Sequence, residues 1–139
     1  MKKGVFLLAG FLVFVLIFNK CGKDDNCHQD IYVVNTTNRN LYIYGDMWYP
    51  DTTMNYHNPF VGNSHYKTKP YSKNSISTRD CFDRIMKYPY GDTIRILIFD
   101  AQIIETVRWD TIREHYMILK HYDLSYPDLV RLNWQITYP

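Results

Sequence analysis

Residues 94–100 read IRILIFD. In an extended chain Ile94, Ile96 and Ile98 point to one side, and Leu97 and Phe99 to the other. Both faces are therefore apolar apart from Arg95. A half-solvated antiparallel strand alternates apolar with polar residues, whereas one apolar on both faces is covered on both. The stretch predicts a central strand, and the rest of the chain has to be arranged around it.

Two short apolar runs, residues 30–34 (DIYVV) and 41–44 (LYIY), flank the polar, turn-forming stretch NTTNRN at 35–40. Together they read as a hairpin, with Leu41 and Ile43 on one face of the second run and Tyr42 and Tyr44 on the other. Residues 45–69 have little periodicity and several Gly, Pro and Asn, and predict a long loop or weak edge region. A turn at 70–74 leads into a short strand at 75–78, and residues 80–86 predict one helical turn. Residues 102–107 read as a continuation or partner of the central strand. Trp109, Ile112, Tyr116 and Leu119 are spaced 3, 4 and 3 apart, which predicts a short helix over 109–116, followed by a strand at 117–122. Ser125, with Asp128 three residues on, is a helix start, and the helix runs to about residue 132. Trp134, Ile136 and Tyr138 alternate as a terminal strand. Thirteen Tyr, seven Phe and three Trp suit pleated, half-buried surfaces. The expected class is mainly β: a single β-sandwich (immunoglobulin-like) domain with one or two short helices, with a small α+β domain as the alternative.

The opening of the chain has a different character. Lys2 and Lys3 precede an almost uninterrupted apolar run to Phe18, the pattern of a secretory signal. As a helix, residues 4–18 would rise about 22 Å at ~1.5 Å per residue, short of the ~30 Å hydrocarbon core. A cleaved signal therefore fits better than a permanent anchor. Cys21 stands where the run stops and resembles the lipid-attachment cysteine of bacterial lipoproteins. The following CGKDD resembles the export signal of surface lipoproteins of Bacteroidota-type bacteria. Lys20 and Phe18 depart from that pattern, which has a small residue before the cysteine and an aliphatic one three before it. The later text, IFDAQIIETVRWDTI and YMILKHYDLSYPDLVRLNWQITYP, is similar to small surface lipoproteins of that type. The resemblance implies a compact β-rich surface domain and brings no catalytic residues. The implied organisation is a signal peptide at 1–20, a flexible acidic stalk at 21–27 and a β-sandwich at 28–139. The implied location is the outer membrane, lipid-anchored and surface-exposed; the alternatives are a free thiol at Cys21 and an inner-membrane signal anchor.

With Cys21 lipidated, Cys27 and Cys81 remain as an even pair in an oxidising compartment, and one disulfide is the simplest reading. Two free thiols, or a metal site on Cys27-His28, are the alternatives. A zinc site shows several ligands at short spacing, which this pair does not, so no metal or other cofactor is expected. The whole chain carries +2, but three of its lysines lie within residues 1–20. The remainder is slightly acidic, which removes the electrostatic argument for nucleic acid.

Few side chains form a catalytic pattern. Asp100, Glu105 and Asp110 are the carboxylates a glycan-acting hydrolase would use, though their places at strand ends and a helix start have structural explanations, and Asp110 suits a helix N-terminus. The five histidines are scattered without paired spacing, and no serine sits in a nucleophile-elbow context. Trp48, Tyr49, Tyr56, Phe60 and Tyr66, in the long loop, form a candidate platform for glycan rings or a protein partner; folded back, they would instead cap the core. The expectation is a non-catalytic, membrane-anchored binding or structural module. An envelope inhibitor or immunity-type lipoprotein and, behind it, a hydrolase are the alternatives.

Overall fold

A computed structural model describes residues 27–50, 53–54, 57–61, 66–87 and 91–139. Cys21, the leader, the stalk up to residue 26 and Tyr56 lie outside the described residues. Seven strands are described: β1 (Asp30–Asn35), β2 (Leu41–Asp46), β3 (Lys67–Thr68), β4 (Ser72–Ser77), β5 (Thr93–Asp100), β6 (Lys120–Ser125) and β7 (Gln135–Tyr138). Four short helices accompany them: α1 (Phe82–Ile85), α2 (Ala101–Thr106), α3 (Trp109–Glu114) and α4 (Tyr126–Arg131). The protein is mainly β, with a three-stranded sheet in the order β4-β1-β7 and a four-stranded sheet in the order β3-β2-β5-β6.

The central-strand expectation holds. β5 lies between β2 and β6, antiparallel to both. Its two apolar faces enter two separate clusters. Ile94, Ile96 and Ile98 join Leu41, Ile43 and Leu124 of their own sheet, and Ile31, Val33 and Ile136 of the other. This is the main core, filled from both sheets. Leu97 and Phe99 pack on the opposite side with Tyr42, Ala101, Ile104 and Ile112, under α2 and α3. Full burial of each such side chain is worth about 1.5–3 kcal/mol, so β5 supplies more of the apolar burial than any other strand.

Four expectations are corrected. β1 and β2 do not form a hairpin: β1 pairs with β4 and, in parallel, with β7, while β2 pairs with β5 and β3. The NTTNRN stretch instead carries the chain from one sheet to the other. The buried Asn35 shapes it, accepting from the Thr37 amide at 2.9 Å and donating to the Arg39 carbonyl at 2.7 Å. Residues 102–107 form no strand. Asp100 caps a helix there by accepting from the Gln102 amide at 2.8 Å, and Ile104 turns into the second cluster. Four helices are described rather than one or two. The last correction concerns strand limits: β4 begins at Ser72, inside the expected turn, and β6 begins at Lys120.

The capping expectation at Ser125 is met in full. Its hydroxyl accepts from the Asp128 amide, and the Asp128 carboxylate accepts from the Ser125 amide. At the other end of α4, Asn133 and Trp134 adopt left-handed φ of 50° and 58°. The Trp134 amide closes the helix by donating to the Leu129 carbonyl at 2.9 Å. Such a conformation costs a non-glycine residue on the order of 1 kcal/mol, here offset by burial of the Trp134 indole in the main core.

Candidate functional site

The most organised polar cluster stands at the start of the domain. Cys27 and Cys81 form a disulfide, which removes the metal and free-thiol alternatives for Cys27. The bond brings together the residues that follow each cysteine. The Phe82 amide donates to the His28 carbonyl at 2.8 Å, and the His28 amide donates to Asp83 Oδ2 at 2.7 Å. His28 Nδ1 lies 3.0 Å from the same oxygen. The Tyr126 hydroxyl donates to Asp83 Oδ1 at 3.0 Å. The imidazole stacks on the Trp134 indole, with centroids 4.2 Å apart and planes 11° from parallel. A hollow of about 460 Å³ opens over these groups, with Lys87 and Asn133 at its rim.

Partial burial pushes the Asp83 carboxyl upward. The bonds from the His28 amide, the His28 ring and the Tyr126 hydroxyl outweigh it and hold the group below the usual carboxylate range. Asp83 is thus an ionised acceptor that fixes the imidazole through Nδ1. An imidazole so oriented suits hydrogen bonding or proton transfer. Among the described residues lining the hollow there is no Ser, Thr or Cys to act as the nucleophile that nucleophilic catalysis needs.

Of the three carboxylates singled out in the sequence, two come together. Asp100 and Glu105 line one hollow of about 580 Å³, with Arg39 and Lys67. Asp110 is not among its lining residues; it stands exposed in the first turn of α3, 3.8 Å from Arg108 and 3.9 Å from Arg113. Glu105 is bonded to Lys67 Nζ at 2.5 Å and to the Tyr42 hydroxyl at 3.1 Å. The Lys67 bond holds its carboxyl below the ordinary range. Burial, together with the bond to Glu105, pushes the Tyr42 hydroxyl up to about 12. A glycosidase's general acid needs a raised carboxyl, and Glu105 moves the other way.

The aromatic residues divide. Trp48 is 72% exposed, Phe60 48% and Tyr49 41%. The Arg95 guanidinium lies over the Tyr49 ring, 5.2 Å from its centroid, and Arg95 is itself paired with Asp123 at 2.7 Å. Phe60 meets the buried Tyr42 ring edge-on at 6.3 Å. Tyr66 is half-buried against Tyr44, packed on the second cluster. Of the described members Trp48 is thus the most exposed, Tyr49 and Phe60 are partly exposed, and Tyr66 caps the core.

The chain matches no family model, no curated protein and no solved structure.

The His28–Asp83 pair escaped the sequence reading because 55 residues separate its members and neither belongs to a recognisable motif. One signal was available. A disulfide between Cys27 and Cys81 places the residues just after each cysteine side by side, and those include His28 and Asp83. Among the described residues no group of three or more His, Cys, Asp or Glu is placed to hold a metal ion.

Proposed function

We propose that the chain is an exported, lipid-anchored surface protein whose domain is a non-catalytic binding or structural module. In this reading the two sheets are the halves of a β-sandwich, immunoglobulin-like in its two-sheet architecture rather than in strand order. Cys21 carries the lipid, and residues 21–27 tether the domain to the outer membrane. The observation that carries the reading is the Cys27–Cys81 disulfide. Structural disulfides persist outside the reducing cytosol, and this one stands six residues beyond the candidate lipidation cysteine, in keeping with a leader that directs export.

Two further features support binding over catalysis. The candidate carboxylates Asp100 and Glu105 are engaged in capping and ion pairing, and among the described residues lining its hollow the His28–Asp83 pair has no Ser, Thr or Cys beside it. Trp48 offers a large apolar ring to solvent, the kind of residue that anchors protein interfaces.

The mass of the N-terminal peptide, isolated from native membranes, tests the anchor. A diacyl or triacyl adduct on Cys21 with residues 1–20 removed is the expected result, and surface proteolysis then reads the orientation. An intact leader with a free Cys21 thiol would replace the reading with an inner-membrane signal anchor.

A further inference from the structure

The edge strands of the two sheets meet on another side of the molecule. β4 ends the three-stranded sheet, and β3, only two residues long, ends the four-stranded one. Between them lies a groove of about 770 Å³. In an antiparallel pair, successive residues turn their peptide groups alternately toward and away from the partner strand. The Tyr32 amide donates to the Trp134 carbonyl at 2.9 Å, away from β4. Its register partner Ser75 therefore faces away from β1 as well. By alternation, the peptide groups of Lys73, Ser75 and Ser77 point out of the sheet edge.

One of these groups already has a substitute partner. The Ser75 amide donates to Oδ1 of Asn74 at 2.8 Å, and Nδ2 of Asn74 donates to the Lys67 carbonyl on β3 at 3.2 Å. The side-chain amide accepts from one edge and donates to the other, as the peptide group of an intervening strand would.

The lining chemistry narrows the ligand. Lys67, Lys69 and Lys73 line the groove, and among the described residues no carboxylate does. Lys67 is engaged with Glu105, and the Lys73 ammonium lies 4.3 Å from the centroid of the Tyr32 ring; Lys69 and Lys73 are both exposed. Tyr44 and Tyr66 pack together, tilted 49° to one another. Lysines on a sheet edge discourage pairing with a second copy of the same edge, and the same charges favour an acidic strand.

We propose that this groove receives an extended acidic peptide segment of a partner protein, which adds to β4 as a further strand and displaces the Asn74 side chain. The inference rests on the binding-module reading and supplies its partner class. Backbone hydrogen bonds along β4 would hold the segment, about six residues or ~20 Å long, while Lys69 and Lys73 would select its charge.

The test uses the full-length chain in mild detergent and the peptide acetyl-(Glu-Val)4-amide as probe. Affinity is read by calorimetry, and backbone protection by hydrogen exchange. The expected result is saturable binding, with exchange slowed over Ser72–Ser77. The Lys69→Glu/Lys73→Glu variant should weaken binding at least tenfold. Asn74→Ala, which clears the substitute amide, should tighten it several-fold; a purely structural Asn74 would give no such gain. No protection of β4 at millimolar peptide would overturn the proposal. So would equal binding of a backbone N-methylated probe, which would reduce the effect to charge alone. Polygalacturonate binding at the same lysines without peptide binding would assign the groove to acidic glycans instead. Any of these failures, with the lipid adduct on Cys21 intact, would leave the surface-module reading standing and remove only this groove.

Discussion

Removing the Cys27–Cys81 disulfide should cost this domain much of its stability. The bond closes a loop with a sequence separation of 54 residues. In the chain-entropy model a loop of that length removes about 14 cal/mol/K from the unfolded chain, or ~4 kcal/mol at 25 °C. For a domain of this size that corresponds to a fall in Tm of roughly 15 °C. The replacement needs care, because Cys81 immediately precedes α1 and makes no side-chain cap there. A serine at that position can cap the helix and return up to ~1 kcal/mol, so Cys27→Ala/Cys81→Ala is the cleaner variant and Cys27→Ser/Cys81→Ser the comparison. Urea unfolding followed by tryptophan fluorescence measures both quantities that matter. The midpoint should fall, and the slope m should rise, because the uncrosslinked unfolded chain exposes more surface. A loss below ~1 kcal/mol with m unchanged would refute the argument. It would mean that the His28–Asp83 and His28–Phe82 contacts hold the loop ends together without the covalent bond.

Three further outcomes follow from the packing and the charges. A Cβ on Gly45 would lie 2.7 Å from Ile76 Cγ2, so Gly45→Ala should destabilise by about 1–3 kcal/mol; Ile76→Ala in the same chain should recover part of that, giving a favourable coupling in a double-mutant cycle by urea titration. Asp123→Asn weakens the two-pronged hold on the largely buried Arg95 and should cost about 2 kcal/mol by the same titration, below the ~3–5 kcal/mol of a fully buried pair because Asp123 is partly exposed. The pH dependence follows from the lowered carboxyls: Lys67 bonding lowers Glu105, Arg95 bonding lowers Asp123, and Ser125 bonding lowers Asp128. Their unfolded forms take up protons at higher pH, near ~4, so stability is complete above that value and falls as the pH drops through the lower folded values. Urea midpoints measured from pH 6 to 2.5 should decline on the acid side, and a midpoint that rises there would contradict the assignments.

Some of this fold could be read directly from the chain. β5 was legible because its two apolar faces leave no other environment for it, and α4 because Ser125 and Asp128 sit at capping distance ahead of an apolar turn. The alternation of Trp134, Ile136 and Tyr138 placed β7, though not its partner. The β1–β2 connection was misread because turn residues report where a chain changes direction, not which strand it pairs with next. Ile31 and Val33 are buried equally well facing Leu41 and Ile43 across two sheets as beside them in one. Residues 102–107 were misread because Ile103, Ile104 and Val107 satisfy a short strand and a short helix alike; the Asp100 cap decided the matter. The His28–Asp83 pair had no local signature at all and was reachable only through the disulfide. The strand-edge groove depends on where β3 and β4 lie in space, which no stretch of sequence encodes on its own.

The parallel pairing of β1 with β7 sets an order of events for folding. Tyr32 takes its place beside Gln135, and the Trp134 carbonyl receives the Tyr32 amide. Until residues 134–138 have been made, the first strand keeps an open flank, and Trp134 and Ile136 are missing from the main core. Contacts so distant along the chain form slowly, and here β1 waits for β7. A nascent chain with that arrangement cannot complete its main core until β7 has emerged. On the proposed route across a membrane, it would stay threadable until the last strand had followed the first through.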